Sequence, residues 1–192
     1  MRYPTRLPDL LPVLAGIGSV LYPFLVYFGL PHVPPGLLVA FAVALGGLHL
    51  LRRRRRGGGI MPHWSFALIL CVLLALLALR PVLAVQAYPP LVSLSLAAGF
   101  AWSLARPPSA IERIARLTTP DLSPEAVAYT RTVTKVWTIF FLSNATIASV
   151  CAVWFTVAIW SLWTGLVSYL LIGVLFAGEV MVRRRILQRA AT

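Results

Sequence analysis

Apolar stretches about as long as a bilayer crossing, separated by short polar breaks, organise this chain. A hydrocarbon core of about 30 Å takes roughly 20 apolar residues as helix. Six segments meet or approach that, near residues 10–30, 35–51, 64–79, 90–105, 136–159 and 162–182. The third and fourth are short. The link over residues 80–90, which carries Arg80, Gln86 and the Pro89-Pro90 pair, is therefore expected to hold a bend or a shallow re-entrant piece. A tight turn between Trp160 and Trp163 is expected to separate the fifth and sixth helices.

The only sizeable polar stretch runs from residue 106 to 135. Ser109 and Glu112 form an S-x-x-E capping box, which predicts a short helix carrying Ile111, Ile114 and Leu117 on one face. Arg113 and Arg116 flank that face within reach of phosphates, so the helix is expected to lie on a membrane surface. Thr119-Pro120-Asp121 ends it. Ser123 then caps a second helix, with Pro124 at its first position and Glu125 near its positive end, and this helix is expected to run into the fifth crossing.

Charge sets the direction of threading. Basic residues are retained on the cytoplasmic side of membranes. Putting the run Arg52, Arg53, Arg54, Arg55 and Arg56 inside also puts inside every one of the 17 Lys and Arg residues except Arg80. Both termini are then cytoplasmic, as are the loops over residues 52–63 and 106–135 and the tail over 183–192. Trp64, Trp102 and Trp137 fall at the inner ends and Trp160 and Trp163 at the outer turn, where amphipathic rings belong.

Composition agrees. Of the 192 residues 59% are hydrophobic and 11% charged, too few charges to cover a soluble surface. The net charge of +12 follows from one-sided arginines and needs no nucleic acid, for which no binding module fits between the apolar segments. Cys71 and Cys151 lie inside apolar segments and read as fillers. The first apolar stretch is too long for a signal-peptide core and is expected to be a retained helix.

Few residues carry candidate chemistry. Glu179 is the single carboxylate within a crossing, and intramembrane acids mark functional sites by default. Arg183 stands four residues on, in the favourable order for a helical ion pair, which gives Glu179 a structural alternative. Asn144, with Ser143 and Thr146, makes a polar patch in the fifth helix that calls for partners on a neighbour, and Ser168 and Tyr169 are the candidates. The pairs Ala15 and Ser19, Ala42 and Gly46, and Gly173 and Ala177 permit close helix approach, within the chain or in a homo-oligomer. His32, His49 and His63 lie apart and lack the spacing of metal ligands; no cofactor, phosphate-binding or nucleophile motif is present. The arginine run serves as topology signal and anionic-lipid contact, or as a patch for an acidic cytosolic partner such as an acyl carrier protein.

The second half also carries a resemblance. Pro108-Ser109-Ala110-Ile111-Glu112-Arg113-Ile114-Ala115-Arg116-Leu117 is followed by Thr119-Pro120-Asp121-Leu122 and Glu125-Ala126-Val127-Ala128-Tyr129-Thr130-Arg131. Trp137, Phe140-Phe141 and Asn144 come next, then Gly165-Leu166-Val167-Ser168-Tyr169 and Phe176-Ala177-Gly178-Glu179. Over roughly residues 105–185 this resembles a family of small bacterial inner-membrane proteins often encoded among genes for aryl-polyene or xanthomonadin-type pigment lipids. More distantly it resembles the intracellular septation protein A (inner membrane-spanning) family. The resemblance implies the envelope of a Gram-negative bacterium and polyene-lipid assembly as a setting. It brings no catalytic residues, and a ketosynthase label borne by some members finds no thiolase-like core here.

The expectation is thus all-α: one polytopic integral membrane helix bundle over residues 1–192, with about six transmembrane helices plus a cytoplasmic amphipathic helix. Two functions compete. One is a non-enzymatic accessory or scaffold of envelope-lipid biosynthesis, whose Arg52–Arg56 run, Arg113 and Arg116 meet membrane lipids or an acidic partner. The other is a small transporter or flippase-like carrier with Glu179, Asn144 and Ser168 along a polar path. A lipid-modifying enzyme is weakest, since no nucleophile–base pair or metal set assembles.

Overall fold

The computed structural model describes residues 11–56 and 63–189, with side chains over 17–47 and 65–182. Every element in that range is helical. In chain order these are α1 (Leu11–Gly29), α2 (Pro35–Arg56), α3 (His63–Leu79), α4 (Pro81–Ala105), α5 (Ala110–Ala115), α6 (Pro124–Trp154), α7 (Val157–Leu162), a π-helical segment (Trp163–Val167) and α8 (Ser168–Arg189). Three helical stretches, Pro81–Ala105, Pro124–Trp154 and Val157–Val182, are long and apolar enough to cross a membrane. Shorter apolar stretches occupy Ile17–Gly29, Pro35–Gly47 and Ser65–Leu79.

Two boundaries differ from expectation. The bend expected within residues 80–90 is confined to Arg80, which leaves helical geometry between α3 and α4, and no re-entrant piece follows: α4 begins at Pro81 and runs unbroken through Pro89 and Pro90. Proline at the first helical position sacrifices only an N–H that has no helical partner. At Pro89 the missing N–H deprives the Val85 carbonyl of its helical donor, and the Tyr22 hydroxyl of α1 replaces it at 2.8 Å. The turn between the last two long helices lies at Phe155 and Thr156, not between Trp160 and Trp163. Phe155 is extended, and the Thr156 side chain accepts from the Ile159 N–H to start α7. Trp160 lies within α7, one turn past Thr156, and is fully buried in the core.

The helices alternate in direction. Phe100 meets Phe141 (centroids 5.4 Å apart) while Ser93 meets Asn144, so α4 and α6 are antiparallel. Asn144 meets Ser168 and Tyr129 reaches Glu179, so α8 runs back along α6. Gly18 lies against Leu45 and Gly29 against Leu38, which makes α1 and α2 antiparallel. α2 and α3 approach closely at Gly46, where an added Cβ would stand 2.8 Å from the Phe66 ring. This alternation gathers the backbone bearing Arg52–Arg56, Arg106, Arg131, Lys135 and Arg183–Arg185 at one end of the bundle and leaves Arg80 at the other. The side chains of Arg52 to Arg56 and of Arg183, like those of His49, His63 and Ala15, lie outside the described residues.

The core forms where α1, α2, α3, α4 and α7 meet. Tyr22, Val26, Leu38, Val39, Ala42, Leu73, Ala84, Val85 and Trp160 are its most buried members. Tyr22 packs edge-on against Tyr88 with centroids 5.0 Å apart. The outward surface is rich in Leu, Ile, Val and Phe, as lipid-facing surface requires.

Candidate functional site

Two of the carbonyls freed by prolines inside the long helices are answered by a tyrosine from another helix. Pro23 in α1 removes the donor for the Ser19 carbonyl, and the Tyr169 hydroxyl of α8 donates to that oxygen at 3.2 Å. Tyr22 does the same for Val85 opposite Pro89. Ser161 of α7 reaches the Pro23 carbonyl at 3.2 Å while also donating to Val157 O at 2.8 Å.

Asn144 on α6 supplies the remaining links. Its Nδ2 donates to Ser93 Oγ on α4 at 3.1 Å. Its Oδ1 accepts from Trp163 Nε1 at 3.1 Å and from Ser168 Oγ at 2.6 Å, one residue at the start of the π-helical segment and one just past its end. Ser168 Oγ also lies 2.9 Å from Trp163 O. The widened π turn sets Trp163 and Ser168 so that both meet one amide oxygen. The links close on themselves: α1 to α4 through Tyr22, α4 to α6 through Asn144, α6 to the π segment and α8, and α8 back to α1 through Tyr169. A hydrogen-bonded girdle therefore ties together four helices that hydrophobic packing alone would leave free to slide.

Close packing reinforces the girdle at Gly165 within the π segment. A Cβ there would stand 2.8 Å and 2.9 Å from Phe24 Cε2 and Cζ, so any larger residue would force the α1 ring to shift. The fully buried Trp160 indole N–H has no hydrogen-bond partner among the described residues.

Of the residues expected along a polar path, Asn144 and Ser168 come together and Glu179 does not. Glu179 lies on α8 eleven residues beyond Ser168, about 16 Å along the helix. Its backbone carbonyl accepts from the Tyr129 hydroxyl at 3.3 Å. Tyr169, expected beside Asn144, bonds to Ser19 instead. Ser143 and Thr146 are exposed, and Thr146 bonds back to Leu142 O. Ser93 and Trp163 were not singled out by sequence. An apolar-helix serine gives no signal alone, and Trp163 was assigned to a turn that lies elsewhere.

The second structured region is at the arginine-rich end. Helix α5 is seated by its first two N–H groups. Ala110 N–H donates to Ser103 Oγ of α4 at 2.9 Å, and Ile111 N–H to Thr134 Oγ1 of α6 at 3.3 Å. The expected capping box is present: Glu112 Oε2 accepts from the Ser109 N–H at 3.2 Å, although the Ser109 hydroxyl completes no full hydrogen bond. Glu112 is buried and pairs with Arg116 at 2.8 Å. Arg116 Nη1 also donates to Pro120 O at 2.8 Å, and Arg113 donates to Pro108 O at 2.8 Å and to Arg106 O at 3.5 Å. Arg113 and Arg116 are thus engaged by the 106–120 segment they belong to. Ile111 is half-buried, whereas Ile114 and Leu117 are 50% and 84% exposed.

Among the described residues no group of His, Cys, Asp and Glu could hold a metal ion. The small-residue pairs divide: Ala42 and Gly46 pack within the chain, whereas Gly173 and Ala177 face outward with open space at Gly173. No family model, curated protein or solved structure matches this chain.

Proposed function

We propose that this protein is a multi-pass component of a bacterial inner membrane that holds or recruits envelope-lipid machinery, of aryl-polyene type, at a basic cytoplasmic face. In this reading all six apolar helices cross, the shorter three counted with their arginine-flanked ends, and both termini are cytoplasmic. The observation that supports it best is the seating of α5 across α4 and α6, at the end where the basic helix termini gather. A short helix fixed at two N–H groups, with apolar residues outward, is built as a platform rather than a linker.

The experiment is a paired substitution in full-length protein. Ile111→Asp with Ile114→Asp should abolish envelope-lipid output and acyl carrier protein binding, while Glu179→Gln should have a mild effect. Loss of output from Glu179→Gln alone, in correctly inserted protein, would overturn the scaffold reading. Threading is tested separately with membrane-impermeant maleimide in a Cys-free background. Cysteine at position 32 or 80 should label from outside, and at position 116 only after permeabilisation.

A carrier is the second reading. The prolines, the π segment and the amide hub are the irregularities transporters use, but the distance from Asn144 to Glu179 divides the polar path it requires. Reconstituted vesicles that move neither lipid nor protons would dismiss it.

A further inference from the structure

Pro23, Pro89 and Pro90 lie inside the long helices, and each frees the carbonyl four residues before it. Tyr169 answers at Ser19 and Tyr22 at Val85. No side chain among the described residues donates to the third of these carbonyls, that of Gln86. The same residue carries a second unanswered group. Gln86 is 4% exposed, and its amide makes no hydrogen bond among the described residues. Only the Ser109 hydroxyl and the Trp160 indole N–H are fully enclosed there without a partner, so the unpaired Gln86 amide keeps open surface at its tip.

Helical spacing places that tip in the seam between α4 and α6. Gln86 comes seven residues before Ser93 on one face of α4, and Cys151 seven residues after Asn144 on one face of α6. Ser93 bonds to Asn144, while Ser103 and Thr134 hold successive N–H groups of α5, so the two antiparallel helices keep one register along the seam. Gln86 therefore stands opposite Cys151, which is also buried. One turn nearer the Arg80 end, Val82 and Phe155 are 45% and 52% exposed, so the seam opens in that direction. No charged residue falls between Arg80 and Arg106 on α4, or between Lys135 and the end of α6.

We propose that Gln86 is the polar anchor of a binding site, in the α4–α6 seam, for the hydroxyl group of a hydrocarbon-chain alcohol. The inference rests on the membrane reading above. The amide N–H groups call for an acceptor, and the amide oxygen and the freed carbonyl call for a donor; a hydroxyl supplies both from one atom. A seam without charge selects a neutral group over a phosphate or an ammonium. The apolar rim of Val82 and Phe155 selects hydrocarbon for the rest of the ligand. An unmet amide and an unmet backbone carbonyl are costly in hydrocarbon, which is what the hydroxyl relieves. A single buried water would meet the same groups, and the experiment separates the two.

The test uses the full-length protein in phosphatidylcholine bilayers with hexadecanol carrying a diazirine near its hydroxyl, and the matching hexadecane probe as control. Insertion sites are read by peptide mass spectrometry. The alcohol should label residues 82–90 and 148–155, and unlabelled hexadecanol, not hexadecane, should compete it away. Gln86→Leu should lower this labelling about tenfold, and Pro90→Ala, which returns an N–H to the Gln86 carbonyl, about threefold. Thr146→Ala, on the exposed side of α6, should leave it unchanged. Melting of Gln86→Leu without alcohol should not fall, because the amide has no protein partner to lose. Equal labelling by the two probes, or labelling that survives Gln86→Leu, overturns the proposal and leaves the amide to a bound water. A large fall in melting for Gln86→Leu also overturns it, by revealing a structural partner. Release of the chain from membranes by alkaline carbonate, without detergent, identifies failure of the membrane reading itself.

Discussion

The Tyr22 hydroxyl donates at 2.8 Å to the carbonyl oxygen of Val85, an atom that Pro89 deprives of its helical donor. One side chain thereby repairs a break in α4 and ties α4 to α1. Tyr169 and Ser19 repeat the device opposite Pro23.

Removing the hydroxyl should therefore matter only while the proline is present. Tyr22→Phe is expected to cost about 1–2 kcal/mol, measured as reversible unfolding in mixed micelles. In a Pro89→Ala background Val85 regains an N–H donor, and the same substitution should cost markedly less. Equal costs in the two backgrounds would show that the hydroxyl does not serve the freed carbonyl.

Asn144 should be the most sensitive polar residue of the girdle. Asn144→Leu leaves Ser93 and Trp163 without their side-chain partner and Ser168 with only the Trp163 carbonyl, whereas Ser93→Ala removes a single link. Unfolding should show a loss of about 2–3 kcal/mol for the first and under about 1 kcal/mol for the second. Near-neutral Asn144→Leu would mean that the amide is not structural.

Two glycines on the same stretch of chain should respond oppositely to alanine. Gly165→Ala drives a Cβ into the Phe24 ring and should destabilise by about 1–3 kcal/mol, relieved by Phe24→Leu. Gly173 has nothing within 4 Å. Gly173→Ala should be neutral or stabilising by up to about 1 kcal/mol, through helix propensity. A large loss at Gly173, dependent on protein concentration, would reveal a partner on that face.

Glu112→Ala should loosen the platform without unfolding the bundle. The carboxylate holds Arg116 and the Ser109 N–H together. Its loss should speed trypsin cleavage after Arg113 and Arg116 several-fold, with helix content by circular dichroism almost unchanged. Unaltered cleavage would show that the two seating hydroxyls suffice.

Much of this was legible because its signals are local. Ser109 with Glu112, and Ser123 before Pro124, mark helix starts within four residues, and both starts are where expected. Apolar runs located the long helices. What was misread also has a physical cause. Pro89-Pro90 looked like a break because a lone helix cannot donate to the carbonyls those prolines free; for Val85, opposite Pro89, the donor comes from Tyr22, 63 residues away. Trp160 and Trp163 looked interfacial because their flanks are apolar, yet the turn belongs to Phe155 and Thr156, where a threonine side chain caps α7.

By itself, then, the sequence determined an all-helical chain, the approximate extent of its apolar helices, and the one-sided placement of its positive charge, since each depends on residues adjacent along the chain. Only the tertiary structure decided which polar groups meet: Asn144 with Ser93, Trp163 and Ser168, the tyrosines with proline-freed carbonyls, and Glu179 apart from them all. Those pairings depend on the relative rotation and register of helices far apart in sequence. A run of leucines is compatible with many such registers, and the few interhelical hydrogen bonds select one.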